Sequence, residues 1–324
     1  MKTTTKTINR WRKTQFFLKR RIVGKQLLII AVMMCCLSVH AQNAKQAITI
    51  SGAQFTASLI EKWTSEYSKV NPDITFKFVK SSSQNEKTDL KLTLNSLDKS
   101  DPKPVENRVN VGRLAVLPVA NLKNTFFTKQ LKNGIGQEEL KTIFLQRDTD
   151  LTDNVEEEQK GEPLYTVYTQ TSQSASAKVL VNHFGKSASE LNGILVTGDD
   201  KYLVESVLED STGVTFSNLA LIYDLNSRTP LIGIKILPID PDNNGRLKKE
   251  ELIYGNLDQL ITFLETTNNK SIPTEEISLS YDPKNNNPFV TDFVNWVNHS
   301  GQTYNRQFGF LKTTDEIDRT LTQK

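Results

Sequence analysis

A helical repeat of apolar positions follows directly on a short strand-like run at residues 47–50. The repeat consists of Phe55, Leu59, Ile60, Trp63, Tyr67 and Val70. Spacings of three and four residues are those of a helix face turned toward a core. Gly52 separates the two patterns and permits a sharp turn. We therefore predict a strand, a glycine turn and a helix. The first amide groups of that helix, at the positive end of its dipole, can seat a small anion. Such turns are also common plain connections, and the pattern alone leaves both interpretations open.

Strand-like and helical patterns alternate along the rest of the chain, which is typical of an α/β fold. The predicted strands cover residues 73–79, 90–94, 109–121, 164–169, 214–223 and 231–237. The predicted helices cover residues 137–144, 173–184 and 202–208 and the regions around residues 257–264 and 289–297. Residues 147–162 are rich in acidic side chains, and we expect them to form a solvated loop.

The first 41 residues have the pattern of a signal peptide. Residues 1–26 hold nine Lys or Arg and no acid, and residues 27–39 are almost wholly apolar. Val39 and Ala41 suit the −3 and −1 positions of a cleavage site, so we expect cleavage before Gln42 and a periplasmic or otherwise exported protein. The apolar run is shorter than the roughly 20 residues of a membrane span, although a signal anchor is the alternative. Cys35 and Cys36 lack the context of a lipoprotein signal.

Removal of this segment changes the charge of the protein. The whole chain carries a net charge of +3, but the residues after position 41 contain 31 Lys and Arg against 37 Asp and Glu, a net charge of −6. No basic patch interleaved with aromatic residues remains, so we do not expect a nucleic acid partner. Both cysteines lie in the signal, so the mature protein is expected to have neither a disulfide nor thiol chemistry.

The strand, glycine turn and helix at residues 47–67 resemble the first motif of the phosphate-binding proteins that serve bacterial phosphate ABC transporters. These are the PstS-like members of the type 2 periplasmic binding proteins. Residues 109–121, 165–185 and 289–311 agree with later segments of the same family. The chain looks most like a divergent branch found in Bacteroidetes-type secretomes. The resemblance implies an α/β fold with two lobes joined by crossing hinge strands. We expect lobe I at residues 42–118 and 225–324 and lobe II at residues 119–224.

The family holds its anion with helix N-termini, hydroxyls, an arginine and an acidic residue, and the resemblance places these groups on particular positions. The implied ligand-binding residues are Ala53, Gln54, Phe55, Thr56, Ser81, Ser82, Ser83, Gln170, Ser174, Ala175 and Ser176. Gln170 stands where the family has arginine, and Ala175 stands where it has glycine. The acidic residue has no secure counterpart, and Asp89 is the nearest candidate.

The exchange of arginine for Gln170 weakens the expected hold on an anion. A hydrogen bond to a charged group is worth about 1.5–3 kcal/mol, against about 1 kcal/mol for a neutral one.

The resemblance implies an exported substrate-binding protein, not an enzyme, that captures phosphate or a similar small oxyanion in a cleft between its lobes. It implies a monomer whose partner is an ABC permease. The alternatives are another small ligand, or a non-transport envelope scaffold or adaptor with a vestigial cleft.

Residues 240–251 match a second pattern, the twelve-residue calcium loop. Oxygen ligands stand at the required spacing on Asp240, Asp242, Asn244, the carbonyl of Arg246 and Glu251. Gly245 supplies the sharp turn, and Leu247 is the apolar anchor. A strand-like run precedes the loop in place of a helix, so we predict an isolated structural Ca²⁺ loop and no paired EF-hand. An Asn-Gly turn with solvated acids is the plain alternative.

The sequence offers little for catalysis. His183 and His299 are the histidines left after cleavage, and they stand far apart in the chain. The chain contains no Gly-x-Ser-x-Gly, no His-Glu-x-x-His and no phosphate loop with lysine. We therefore expect a binding protein.

Overall fold

A sheet of nine strands organises the part of the chain that the computed structural model describes. The described residues are 46–80, 87–95, 107–145, 164–171, 174–267, 269–285 and 287–315. All of them after Gln46 belong to one compact unit. The predicted signal peptide, the Ser81–Ser83 turn and the acidic stretch at 147–162 lie outside the described residues. Among the helices described, none combines the length and the apolar character needed to cross a membrane.

The strands are β1 (Gln46–Gly52), β2 (Ile74–Lys80), β3 (Leu90–Leu94), β4 (Asn107–Asn121), β5 (Thr166–Thr169), β6 (Ile194–Leu195), β7 (Gly213–Asn218), β8 (Ile234–Ile236) and β9 (Thr274–Tyr281). The helices are α1 (Ala57–Val70), α2 (Thr128–Asn133), α3 (Gln137–Phe144), α4 (Ala175–His183), α5 (Lys201–Glu209), α6 (Leu219–Ile222), α7 (Leu257–Thr266) and α8 (Pro288–His299). Short 3₁₀ helices cover Gln54–Thr56, Ala188–Glu190, Lys249–Glu251 and Gly301–Phe308.

The strands follow the order β2-β1-β3-β9-β4-β7-β5-β6, and β8 also pairs with β4. β1 is parallel to β3, and β5 is parallel to both β6 and β7. The pairs that β4 forms with β7, β8 and β9 are antiparallel. The mixture of helices with this sheet confirms the predicted α/β class.

The long strand β4 connects the two parts of the sheet. Its residues from Asn107 to Ala115 pair with β9, whereas those from Val116 to Ala120 pair with β7. The predicted strand at residues 109–121 is therefore confirmed as a buried strand that crosses between two groups of strands. The lobe boundaries at residues 118 and 225 stay a prediction, and the pairing of β8 with Val119–Asn121 places β8 beside the second part of β4.

The helical repeat at the start of the chain forms α1 as predicted. Leu59, Ile60, Trp63 and Tyr67 are buried. The indole nitrogen of Trp63 donates to the carbonyl of Gly301 over 2.8 Å. Aromatic rings of α8 and β2 surround Tyr67, at ring-centroid distances of 5.2–6.0 Å.

Three details of the sequence-based prediction are corrected. Val70 ends the stripe with 69% of its surface exposed, because α1 stops there and the chain turns into β2. The strand predicted at residues 214–223 ends at Asn218, and α6 begins at the next residue. The strand predicted at residues 231–237 is reduced to β8, and Ile232 lies 98% exposed before it.

Candidate functional site

A cleft of about 340 Å³ lies where the starts of three helices meet. Its lining residues are Ala53, Gln54, Phe55, Lys80, Ala175, Gly198, Asp199, Asp200, Lys201 and Leu221. The first three precede α1, Ala175 begins α4, and residues 198–201 form the turn into α5. The cleft therefore brings the start of α1 together with the starts of α4 and α5, which follow more than a hundred residues later in the sequence.

The turn before α1 supplies three of the residues that line the cleft. The backbone of Ala53 is extended, and the helical geometry begins at Gln54. Amides in the first turn of a helix lack intrahelical acceptors. Thr56 lies behind this turn, 4% exposed, and its hydroxyl donates to the carbonyl of Ala53 over 2.6 Å. The predicted ligand residues Ala53, Gln54 and Phe55 line the cleft, whereas Thr56 shapes the turn that holds them.

Gly52 is required for this turn. A Cβ atom at Gly52 would lie 2.6 Å from the Thr56 hydroxyl and 3.1 Å from Ile60. A side chain there would push Thr56 away from the Ala53 carbonyl and disturb the start of α1.

The start of α4 is occupied by side chains of the protein itself. Ser174 is the N-cap, and its hydroxyl accepts from the Ala177 amide over 3.1 Å. The amide and hydroxyl of Ser176 both donate to one oxygen of Asp200, at 3.2 and 2.8 Å. Of the predicted ligand residues on α4, Ala175 reaches the cleft, and Ser174 and Ser176 are buried with partners inside the protein.

Asp200 is a site residue that the sequence reasoning missed. Its carboxylate is 8% exposed, lies against the positive end of α4 and lines the cleft. Burial raises the pKa of the Asp200 carboxyl, while hydrogen bonds from Ser176 and Ser174 act in the opposite direction. The Asp200 carboxylate therefore occupies part of the position that a bound anion would take at the start of α4.

Gln170, which was predicted to contact the ligand in place of an arginine, is buried instead. This side chain is 3% exposed, and its amide nitrogen donates to the carbonyls of Gly198 and Asp199, at 3.3 and 3.1 Å. Gln170 therefore holds the turn before α5 from behind and does not line the cleft. Gly198 has a φ of 106°, a backbone conformation that favours glycine in this turn.

Two lysines bring positive charge to the cleft. Lys80, at the end of β2, lies 3.6 Å from the Asp199 carboxylate across the cleft. Lys201, the first residue of α5, pairs with Glu205 at 3.2 Å. The sequence signal for Lys80 was its position just before the predicted Ser81–Ser83 turn, but a single lysine at a strand end carries no specific information.

Asp89 does not serve as the acidic residue of this cleft. One of its carboxylate oxygens accepts from the Thr49 amide over 2.8 Å, between β1 and β3. Asp199 and Asp200 are the carboxylates that line the cleft.

The predicted calcium loop forms a cluster of its own. Asp240, Asp242 and Glu251 each place a carboxylate oxygen within 4.8 Å of the others. Asn244 and Arg246 lie in the same loop, and the Asn244 side-chain oxygen accepts from the Arg246 amide over 3.1 Å.

We expect Ser174→Ala to lower the free energy of unfolding by about 1 kcal/mol, because the Ala177 amide loses its cap. Ser174→Gly should cost only a few tenths of a kcal/mol, since glycine suits an N-cap position. Denaturant unfolding of both variants measures this difference. An unchanged free energy of unfolding in Ser174→Ala would show that the hydroxyl cap contributes little.

The fold is that of the two-lobed periplasmic binding proteins. A phosphate ABC transporter substrate-binding protein from Clostridium perfringens, described as putative and solved with bound phosphate, superposes with a TM-score of 0.59 at 11% identity, covering 83% of this chain and all of that one. An ABC-type phosphate transport receptor from Vibrio cholerae superposes with a TM-score of 0.53 at 13% identity, covering 82% of this chain and all of that one. No family model matches the sequence, and no curated protein matches it.

Proposed function

We propose that this chain is an exported, non-enzymatic substrate-binding protein that captures phosphate or a similar small oxyanion and delivers it to an ABC permease. The observation that carries the proposal is the cleft, where the starts of α1 and α4 meet beside Lys80 and Lys201. Two solved structures of the same fold are named for phosphate transport, which supports the choice of ligand class.

The anion is held mainly by the Ala53–Phe55 turn in this proposal. Backbone amides at a helix start attract an anion without any cation. The Lys80 ammonium group adds its charge when it leaves the Asp199 carboxylate and pairs with the bound anion. Ala175 contributes from the opposite wall. The volume exceeds what one tetrahedral oxyanion needs, so bound phosphate shares the cleft with water or is enclosed by closure of the lobes.

A second candidate function follows from Asp200. Because this carboxylate already occupies the start of α4, the cleft also fits a protein that has kept the fold and lost its anion, such as an envelope scaffold or adaptor. The two candidates differ in whether the isolated protein binds an oxyanion.

We expect calorimetric titration of the chain from Gln42 to Lys324 with phosphate to give saturable binding of one anion. Thermal unfolding in the same buffer should shift upward as phosphate exceeds its dissociation constant, because the ligand binds only the folded state. A chloride titration at equal ionic strength is the control for screening. Absence of heat and of any thermal shift with phosphate, sulfate and molybdate would contradict the proposal and favour the scaffold.

A further inference from the structure

The loop between β8 and α7 gathers three acidic side chains, and one of them, Asp240, has a buried carboxylate oxygen without a hydrogen-bond partner. Asp240 is 1% exposed, and its Oδ2 accepts from the Gly245 amide over 2.6 Å. Its Oδ1 is buried without a hydrogen-bond partner. Carboxylate oxygens of Asp242 and Glu251 lie within 4.8 Å of an Asp240 oxygen. A buried carboxylate oxygen without a partner is costly, and a cation in the cluster would supply the partner.

The loop is held in shape from two sides by the rest of the protein. The Asp240 amide donates to the carbonyl of Ile135 over 2.9 Å, and the Asn243 side-chain oxygen accepts from the Gln137 amide over 3.1 Å. On the other side, the carbonyl of Pro241 accepts from the Ser271 hydroxyl over 2.8 Å. These bonds fix the start of the loop, including the backbone of Asp240.

The ammonium group of Lys248 lies at the cluster. It pairs with Asp242 and is 3.8 Å from a carboxylate oxygen of Glu251. The Asp242 and Lys248 side chains are about 40% exposed, so the pair can open toward solvent. Lys248 thus acts as an internal cation that a bound metal ion would have to displace.

We propose that residues 240–251 bind one Ca²⁺ ion through Asp240, Asp242, Asn244, the carbonyl of Arg246 and Glu251. All these ligand atoms are oxygens, which calcium prefers, and their spacing is that of a calcium loop. Magnesium demands a tighter octahedral arrangement and gives up its water reluctantly, so this irregular set favours calcium. Competition from Lys248 makes the site a weak one, suited to the millimolar calcium found outside cells.

The site is tested by calorimetric titration of the chain from Gln42 to Lys324 with calcium in a buffer free of phosphate. We expect saturable binding of one ion with a dissociation constant of about 10⁻⁴–10⁻³ M, a higher melting temperature in calcium and a weaker response to magnesium. No heat and no thermal shift with calcium would overturn the proposal. The absence of phosphate keeps this outcome independent of the function proposed for the cleft.

Three variants separate a metal site from a structural turn. Asp242→Asn and Asp240→Asn should each weaken calcium binding at least tenfold. Because the Asp242 side chain is 39% exposed, we expect Asp242→Asn to fold as the wild type does. Lys248→Gln should tighten calcium binding severalfold, because the competing ammonium is gone. Asp224→Asn is the matched control, since Asp224 also accepts backbone amides of a turn, at 2.7 and 2.9 Å, and belongs to no acidic cluster among the residues that the structure describes. Unchanged affinity in Lys248→Gln and Asp242→Asn would refute the assignment.

Discussion

Gln54→Glu should weaken phosphate binding by about tenfold to a hundredfold while leaving the fold intact. Gln54 is exposed at the turn before α1 and lines the cleft. Two unit charges about 4 Å apart near a protein surface interact by about 4 kcal/mol, and less at larger separations. A loss of roughly 1.4–2.8 kcal/mol corresponds to the expected range of affinities. A carboxylate at a helix start is favourable for folding, so the unfolding free energy should not fall.

The matched control for this variant is Gln259→Glu. Gln259 is an exposed glutamine in the first turn of α7, and it does not line the cleft. Phosphate dissociation constants of the wild type and both variants, measured by calorimetry at low and at physiological salt, decide the matter. The effect of Gln54→Glu should shrink as salt screens the new charge. Equal losses in both variants would remove the turn before α1 from the site.

Local sequence patterns were sufficient to predict the helices and strands that pack through apolar side chains. The spacing from Leu59 to Tyr67 predicted α1 because each of these side chains enters the core. The apolar run from Leu114 to Ala120 in β4 predicted a strand that is buried on both faces.

Strand β9 was missed although it is eight residues long and lies in the middle of the sheet. Ile277, Leu279 and Tyr281 alternate with Ser278 and Ser280 in this strand, but both serines are buried, so the polar positions do not face solvent as such an alternation predicts. The Ser278 hydroxyl donates to the side-chain oxygen of Asn110 on β4 over 2.8 Å. A polar residue that finds its partner on another strand cannot be recognised from its neighbours in sequence.

Of the two turns that line the candidate site, one was predicted from the sequence and the other was missed. The turn at residues 53–55 was found because a glycine stands between a strand and a helix. The turn at residues 198–201 was missed, although Gly198 also stands just before a predicted helix. Asp200 meets Ser176 across 24 residues, a contact that only the fold creates. Gln170 was placed by resemblance, and no local signal showed that its amide would face the turn at residue 198.

Asp200→Asn should tighten sulfate binding by about tenfold and remove the pH dependence that Asp200 imposes on it. Burial raises the pKa of this carboxyl. Sulfate keeps its charge throughout the accessible range, so an ionised Asp200 repels it and a protonated Asp200 does not. Sulfate affinity of the wild type should therefore rise as the pH falls through the raised pKa. Hydrogen phosphate can donate its proton to the ionised carboxylate, so its affinity for the wild type should change less with pH than that of sulfate. In Asp200→Asn, the preference for phosphate over sulfate should therefore be about tenfold lower than in the wild type, or 1.4 kcal/mol.

Folding stability should change with the same variant in a defined direction. Because the folded-state pKa of Asp200 lies above its ordinary value, the stability that this carboxyl contributes is fully present below the ordinary pKa and is lost as the pH rises through the raised one. Asparagine can still accept from the Ser176 amide and hydroxyl, so Asp200→Asn should be more stable than the wild type at neutral pH.

Asp292→Asn, on the exposed face of α8, makes the same charge change away from the cleft. Sulfate and phosphate titrations between acid and neutral pH, with melting temperatures in the same buffers, measure both effects. Parallel pH profiles for sulfate in the wild type and Asp200→Asn would show that this carboxylate does not face the bound anion.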